Sequence, residues 1–103
     1  MRITGGEYRG RNLRTPKSGV RPTQDMVRQA VFNILMTRIE DARVLDLYAG
    51  SGAIGLEALS RGAAEVTWVE RDRKTLTVLR ANAEQIADST SRIVADDATR
   101  FLH

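Results

Sequence analysis

Gly50-Ser51-Gly52-Ala53-Ile54-Gly55 reads G-x-G-x-x-G and stands where a short β-capable run hands over to a helix-forming stretch. No other feature constrains the fold as much. Glycines at such a junction bring bare backbone and the positive end of a helix to one point, where a nucleotide or nucleotide-like ligand can approach. The run before the turn is Arg43-Val44-Leu45-Asp46-Leu47-Tyr48, and the stretch after it, Ala53 to Arg61, reads as a helix stopped by Gly62. Val66-Thr67-Trp68-Val69 predicts a second strand and Arg92-Ile93-Val94-Ala95 a third. Between them, Asp72 to Ala87 predicts a helix with Leu76, Leu79, Ala83 and Ile86 on one side. Strand and helix alternating in this way predict an α/β chain on a parallel sheet with right-handed crossovers.

Upstream the chain divides at residue 22. Residues 1–22 are rich in Gly and Arg, with too few apolar side chains for a core of their own, and read as a basic arm or hairpin. Residues 23–103 form the sheet-bearing domain. Its first element is an amphipathic helix with Thr23 as N-cap, Asp25 in the first turn, and Met26, Val27, Ala30, Val31, Ile34, Leu35 and Ile39 at helical spacing. The net charge of +3 is uneven: residues 1–28 carry seven Arg/Lys against two acids, leaving nine against eleven in the rest. The basic character lies in the arm, where Arg9, Arg11, Arg14 and Arg21 can contact phosphates and Gly10 allows close backbone approach; a solvated basic tail is the alternative.

Composition removes several kinds of chemistry. With no cysteine and with His103 as the single histidine, neither a thiolate nucleophile nor a metal site is expected. No apolar run approaches the ~18 residues of a membrane span, and Met1 is followed by a polar, glycine-rich stretch rather than a signal peptide, so no membrane partner and a cytoplasmic location are expected. At 103 residues the chain allows at most one domain, short for an α/β enzyme, which usually needs ~150 residues to cover both faces of its sheet.

Acids at the strand ends narrow the ligand. Glu70 closes the second strand, where a carboxylate can accept hydrogen bonds from ribose hydroxyls of either a dinucleotide or S-adenosylmethionine. Asp46 discriminates between them: a negative charge beside the turn repels a pyrophosphate but attracts the ammonium and sulfonium groups of S-adenosylmethionine. Past the third strand, Asp97 has two open roles, accepting from an adenine 6-amino group or capping a helix that begins at Ala98. The expected cofactor site is thus Asp46, the turn residues Tyr48, Ala49, Gly50, Ser51 and Gly52, and Glu70, Asp97 and Ala98.

The run Asp46-Leu47-Tyr48-Ala49-Gly50-Ser51-Gly52-Ala53-Ile54-Gly55-Leu56-Glu57-Ala58-Leu59-Ser60-Arg61-Gly62-Ala63, taken with Arg21-Pro22-Thr23-Gln24-Asp25-Met26-Val27-Arg28 and Phe32-Asn33, resembles the RsmD family of 16S ribosomal RNA guanine-N2 methyltransferases. The resemblance implies a Rossmann-like class I methyltransferase fold, of which this chain would hold the first three βα units. It also implies S-adenosylmethionine as cofactor and 16S ribosomal RNA or an assembling small ribosomal subunit as partner. Asp46, Gly50 and Gly52 would surround the methionine part of the cofactor, with Glu70 on the ribose and Asp97 near the adenine; the arm would help to hold RNA. Where the family usually has glycine before the acid matching Asp97, this chain has Asp96.

The family's D/N-P-P-Y/F loop, which receives the target amine, has no counterpart, because the prolines are Pro16 and Pro22 alone. No catalytic residue is therefore assigned, and the chain is expected to be a shortened member. By the resemblance the first strand belongs in mid-sheet, so a chain with three strands would bare its inner edge and is expected to be marginally stable, self-associating or dependent on another piece, the full-length form being a monomer. Two other functions stay open at this point: a non-catalytic module that binds S-adenosylmethionine or RNA, and an NAD-binding oxidoreductase module.

Overall fold

The computed structural model describes residues 2–14, 22–47, 49–86 and 91–102, the side chains of 22–27, 36 and 37 excepted. Helix α1, Pro22–Ile39, leads into strand β1, Arg43–Asp46, and helix α2, Ala53–Ser60. Strand β2, Glu65–Glu70, helix α3, Arg73–Glu84, strand β3, Arg92–Ala95, and the short α4, Ala98–Leu102, complete the order. The strands form one parallel sheet in the order β1-β2-β3, with Asp46 opposite Trp68 and Glu70 opposite Ala95. Among the described residues no helix is long and apolar enough to cross a membrane.

Alternation along the strands sorts the sheet's two faces. Val66 and Trp68 of β2 are buried in the main core, with Val44 and Ile93 from the neighbouring strands packed against it. Leu56 and Leu59 of α2, and Leu76 and Leu79 of α3, join the same cluster. Val69 points the other way and is buried outside that cluster, on the strand that α4 meets; Leu45, on the same face of the edge strand β1, stays half-exposed. Asp72 caps α3 by accepting from the Thr75 hydroxyl at 2.6 Å and the Thr75 amide at 2.9 Å. Those two bonds, the hydroxyl's first, hold the Asp72 carboxyl below its ordinary pKa.

Two details of the first helix differ from the expectation. It opens at Pro22, so Thr23 lies inside the first turn instead of capping it; proline's fixed φ and missing N–H suit that opening position. Its buried stripe runs through Arg28, Phe32 and Ile39, while Val31 and Ile34, expected inside, are exposed, Ile34 by 82%. The cause is a polar partner: the Arg28 guanidinium reaches a buried carboxylate on α2, and that contact sets which side of α1 faces inward. Elsewhere β1 ends at Asp46 rather than Tyr48, α2 at Ser60 rather than Arg61, and α3 at Glu84 rather than Ala87.

The arm's described part is fastened to the domain. Arg2 and Asn12 form an antiparallel bridge, the Ile3 amide donates to the Arg11 carbonyl at 3.1 Å, and Ile3 and Leu13 enter the main core. Arginine-rich sequence around two apolar anchors thus yields a hairpin-like strap lying on α2 and α3.

Candidate functional site

In a parallel sheet all strands end on one side, and here β1 delivers Asp46, β2 delivers Glu70, and β3 leads into Asp96 and Asp97 on that side. The turn between β1 and α2 occupies the same edge. The Ala49 amide donates to the Val69 carbonyl at 3.2 Å, the Gly50 amide to Glu70 Oε1 at 3.0 Å, and the Gly52 amide to the Ala49 carbonyl at 2.8 Å. Glu70 Oε2 accepts from the amides of Arg71 and Asp72, so one carboxylate links the turn to the entrance of α3.

The three glycines of the motif do separate jobs. A Cβ on Gly55 would fall 2.2 Å from Trp68 Nε1 and 2.7 Å from Val66 Cγ1, and one on Gly52 would fall 2.4 Å from Leu79 Cδ1. Those two let the helix sit close on the sheet and on α3. Gly50 shares with Gly52 a positive φ, +55° against +85°, a conformation that suits glycine, but differs in that a Cβ there would meet nothing within 4 Å. Gly50 therefore leaves open space on the edge where β1 ends at Asp46 and β2 at Glu70. Gly52 starts α2 with no side-chain cap, so the helix's first amides are left for another acceptor.

Of the expected cofactor residues, Asp46, Ala49, Gly50, Ser51, Gly52 and Glu70 come together on this edge, and Tyr48 lies outside the described residues. Asp97 follows β3 at the same end of the sheet. Its Oδ1 accepts from the amides of Thr99 at 2.9 Å and Arg100 at 3.2 Å, and its Oδ2 from Arg71 Nη1 at 3.2 Å, so the capping role is observed, with Ala98 buried behind it. In the arm, Arg9 and Arg14 are exposed. Arg11 lies 5.1 Å from the centre of the Tyr8 ring and its guanidinium donates to the Gln85 carbonyl. Arg21 lies outside the described residues.

Glu57 and Asn82 are the most deeply buried of the polar residues to which the sequence assigns no role. Glu57, fully buried in α2, accepts from the Thr4 amide at 2.8 Å, the Gly5 amide at 3.0 Å, Arg61 Nε at 2.8 Å and Arg28 Nε at 3.1 Å. Burial alone would raise its pKa, but the bonds from Arg61, Thr4 and Arg28 together outweigh it and hold the carboxyl below its ordinary value. Asn82, on the buried side of α3, accepts from the Arg14 amide at 2.7 Å and donates to the carbonyls of Arg14 at 2.9 Å and Ser51 at 2.8 Å. Each has a sequence signal: a lone acid in the apolar run Ala53 to Leu59, and an amide three residues after Leu79 on the inward stripe of a helix.

A family model described as Conserved hypothetical protein 95 matches residues 1–103. The chain belongs to this family. It is the RsmD family of the resemblance: over 103 residues the chain is 48% identical to ribosomal RNA small subunit methyltransferase D of Escherichia coli strain K12, covering 99% of this chain and 52% of that protein. A solved hypothetical protein from Thermus thermophilus matches with a TM-score of 0.86 at 40% identity, over 99% of this chain and 58% of that one. A solved S-adenosylmethionine-dependent methyltransferase from Agrobacterium tumefaciens matches with a TM-score of 0.67 at 28% identity, over 82% of this chain and 27% of that one. The fold of the family is therefore the α/β methyltransferase fold, and the chain spans about half the length of the curated relatives it matches.

Proposed function

We propose that this chain supplies the cofactor-binding part of an S-adenosylmethionine-dependent methyltransferase acting on guanine N2 of 16S ribosomal RNA, its arm contributing to RNA binding. The observation that carries the reading is the open Gly50 turn, bonded to Glu70 on the edge where β1 ends at Asp46, in a chain whose relatives are named as small-subunit ribosomal RNA methyltransferases.

The donor set fits that cofactor. Asp46 offers negative charge where ammonium and sulfonium need it and where a pyrophosphate would be repelled. Glu70 Oε1 accepts from the Gly50 amide and keeps acceptor capacity for a ribose hydroxyl. The uncapped start of α2 and the Gly50 backbone give the amino-acid carboxylate a place to bind. Ala49, Ser51 and Gly52 shape the turn, and Asp97 and Ala98 border the adenine side. When bound, the cofactor supplies an activated methyl group; the residues of this chain bind it, orient it and, through the packed turn, limit water around it.

The reading is tested with Asp46→Ala and Glu70→Ala. Each is expected to weaken binding of S-adenosylhomocysteine by ~1 to 3 kcal/mol, the loss of a charged hydrogen-bond partner. Unchanged affinity in both variants would remove these residues from the site.

A further inference from the structure

The arm and the glycine turn share one side chain. Asn82 is fully buried and bonded at both ends of its amide: Oδ1 takes the Arg14 N–H, and the two Nδ2 hydrogens go to the Arg14 and Ser51 carbonyls. Its orientation is fixed by chemistry, since the flipped amide would set donor against donor at the Arg14 N–H and oxygen against oxygen at both carbonyls. The Ser51 carbonyl belongs to the same peptide unit as the Gly52 N–H, which is held by the Ala49 carbonyl at 2.8 Å. That peptide plane is thus set from two sides, by the turn itself and by Asn82. On the other side of Asn82, Arg14 keeps its side chain exposed while its backbone is clamped, and the preceding Leu13 is anchored in the core. One buried amide thus joins the backbone of the exposed arginine to the peptide that opens α2.

We infer that Asn82 is a positioning residue that couples the arm to the cofactor turn, so that RNA held by the arm and cofactor held at Gly50 favour each other's binding; this rests on the function proposed above. RNA that orders the arm also orders the turn, and a cofactor arriving at an ordered turn loses less conformational freedom. Linkage requires the effect to be reciprocal.

The test measures, on the 103-residue chain, the affinity for S-adenosylhomocysteine with and without a transcript of small-subunit ribosomal RNA, and the RNA affinity with and without S-adenosylhomocysteine. Wild type is expected to show the same gain in both directions, about fivefold. Asn82→Asp, which keeps the acceptor for the Arg14 N–H but removes the donors to both the Arg14 and Ser51 carbonyls, should bind both ligands with that gain reduced to about one; a merely structural residue would weaken both affinities and leave their ratio alone. Hydrogen exchange at residues 50–56 on adding RNA without cofactor gives a second readout, with slowing expected in wild type and not in Asn82→Asp. Slowing that appears as expected while S-adenosylhomocysteine fails to bind either protein would sink the cofactor reading and leave the coupling standing. No gain and no slowing in wild type, or a gain retained by Asn82→Asp, would overturn the coupling.

Discussion

A methyl group placed on Gly55 has nowhere to go, whereas one placed on Gly50 has too open a place to go. At Gly55 the added Cβ would press on the Trp68 indole and on Val66, both buried, so Gly55→Ala is expected to cost ~1 to 3 kcal/mol of stability as an overpacked core. At Gly50 the same change meets no atom and costs only the left-handed backbone, ~1 kcal/mol. Its larger effect should be on ligand affinity, because the methyl projects into the space assigned to the cofactor. Urea denaturation and ligand titration of the two variants should therefore give opposite patterns. A shared pattern would mean that the division of labour between these glycines is wrong. The motif alone shows that glycines are needed between strand and helix. It does not show which serve packing and which serve a ligand, because the deciding neighbours, Trp68 and Leu79, arrive with later elements.

Helix α1 illustrates how far periodicity carries. The spacing of apolar residues correctly marks a helix, but Arg28 on its inward face cannot be anticipated without Glu57, and with Arg28 inside, Ile34 turns out to solvent. Phe32→Ala is thus expected to cost ~3 kcal/mol and Ile34→Ala less than ~0.5 kcal/mol by thermal or chemical denaturation; the reverse order would refute the observed face. Glu57 ties this helix, α2 and the arm together through partners that lie as many as 53 residues away, which is why a reading of local sequence leaves it without a role. Glu57→Gln leaves Arg28 and Arg61 without their carboxylate and should cost ~3 to 5 kcal/mol at neutral pH. The folded-state pKa of Glu57 is depressed, so its contribution is fully present above the unfolded value of ~4.3 and is lost as pH falls through the folded value. Denaturation between pH ~3 and ~6 should accordingly show a shallower acid limb for Glu57→Gln than for wild type.

At the scale of the whole molecule, the alternation of strands and helices, the parallel sheet and the gathering of Asp46, Glu70 and the glycine turn on one edge were all legible in the sequence, since each follows from short-range pattern and from strand polarity. What was not legible is how the arm is seated, because Ile3, Leu13 and the backbone of Arg14 are held by residues from α2 and α3. That seating fixes the arm's backbone while Arg9 and Arg14 face outward. Arg9→Ala and Arg14→Ala should each weaken RNA binding about equally across sequences and lower the salt slope by about one phosphate contact; slopes unchanged in both would take the arm out of the RNA interface. The proposed S-adenosylmethionine site at the Gly50 edge is checked by calorimetric titration of the chain with S-adenosylmethionine and S-adenosylhomocysteine against NAD. Saturable binding of the first two and none of NAD is expected, because Asp46 disfavours a pyrophosphate; binding of NAD, or of none of the three by a folded chain, would contradict that assignment.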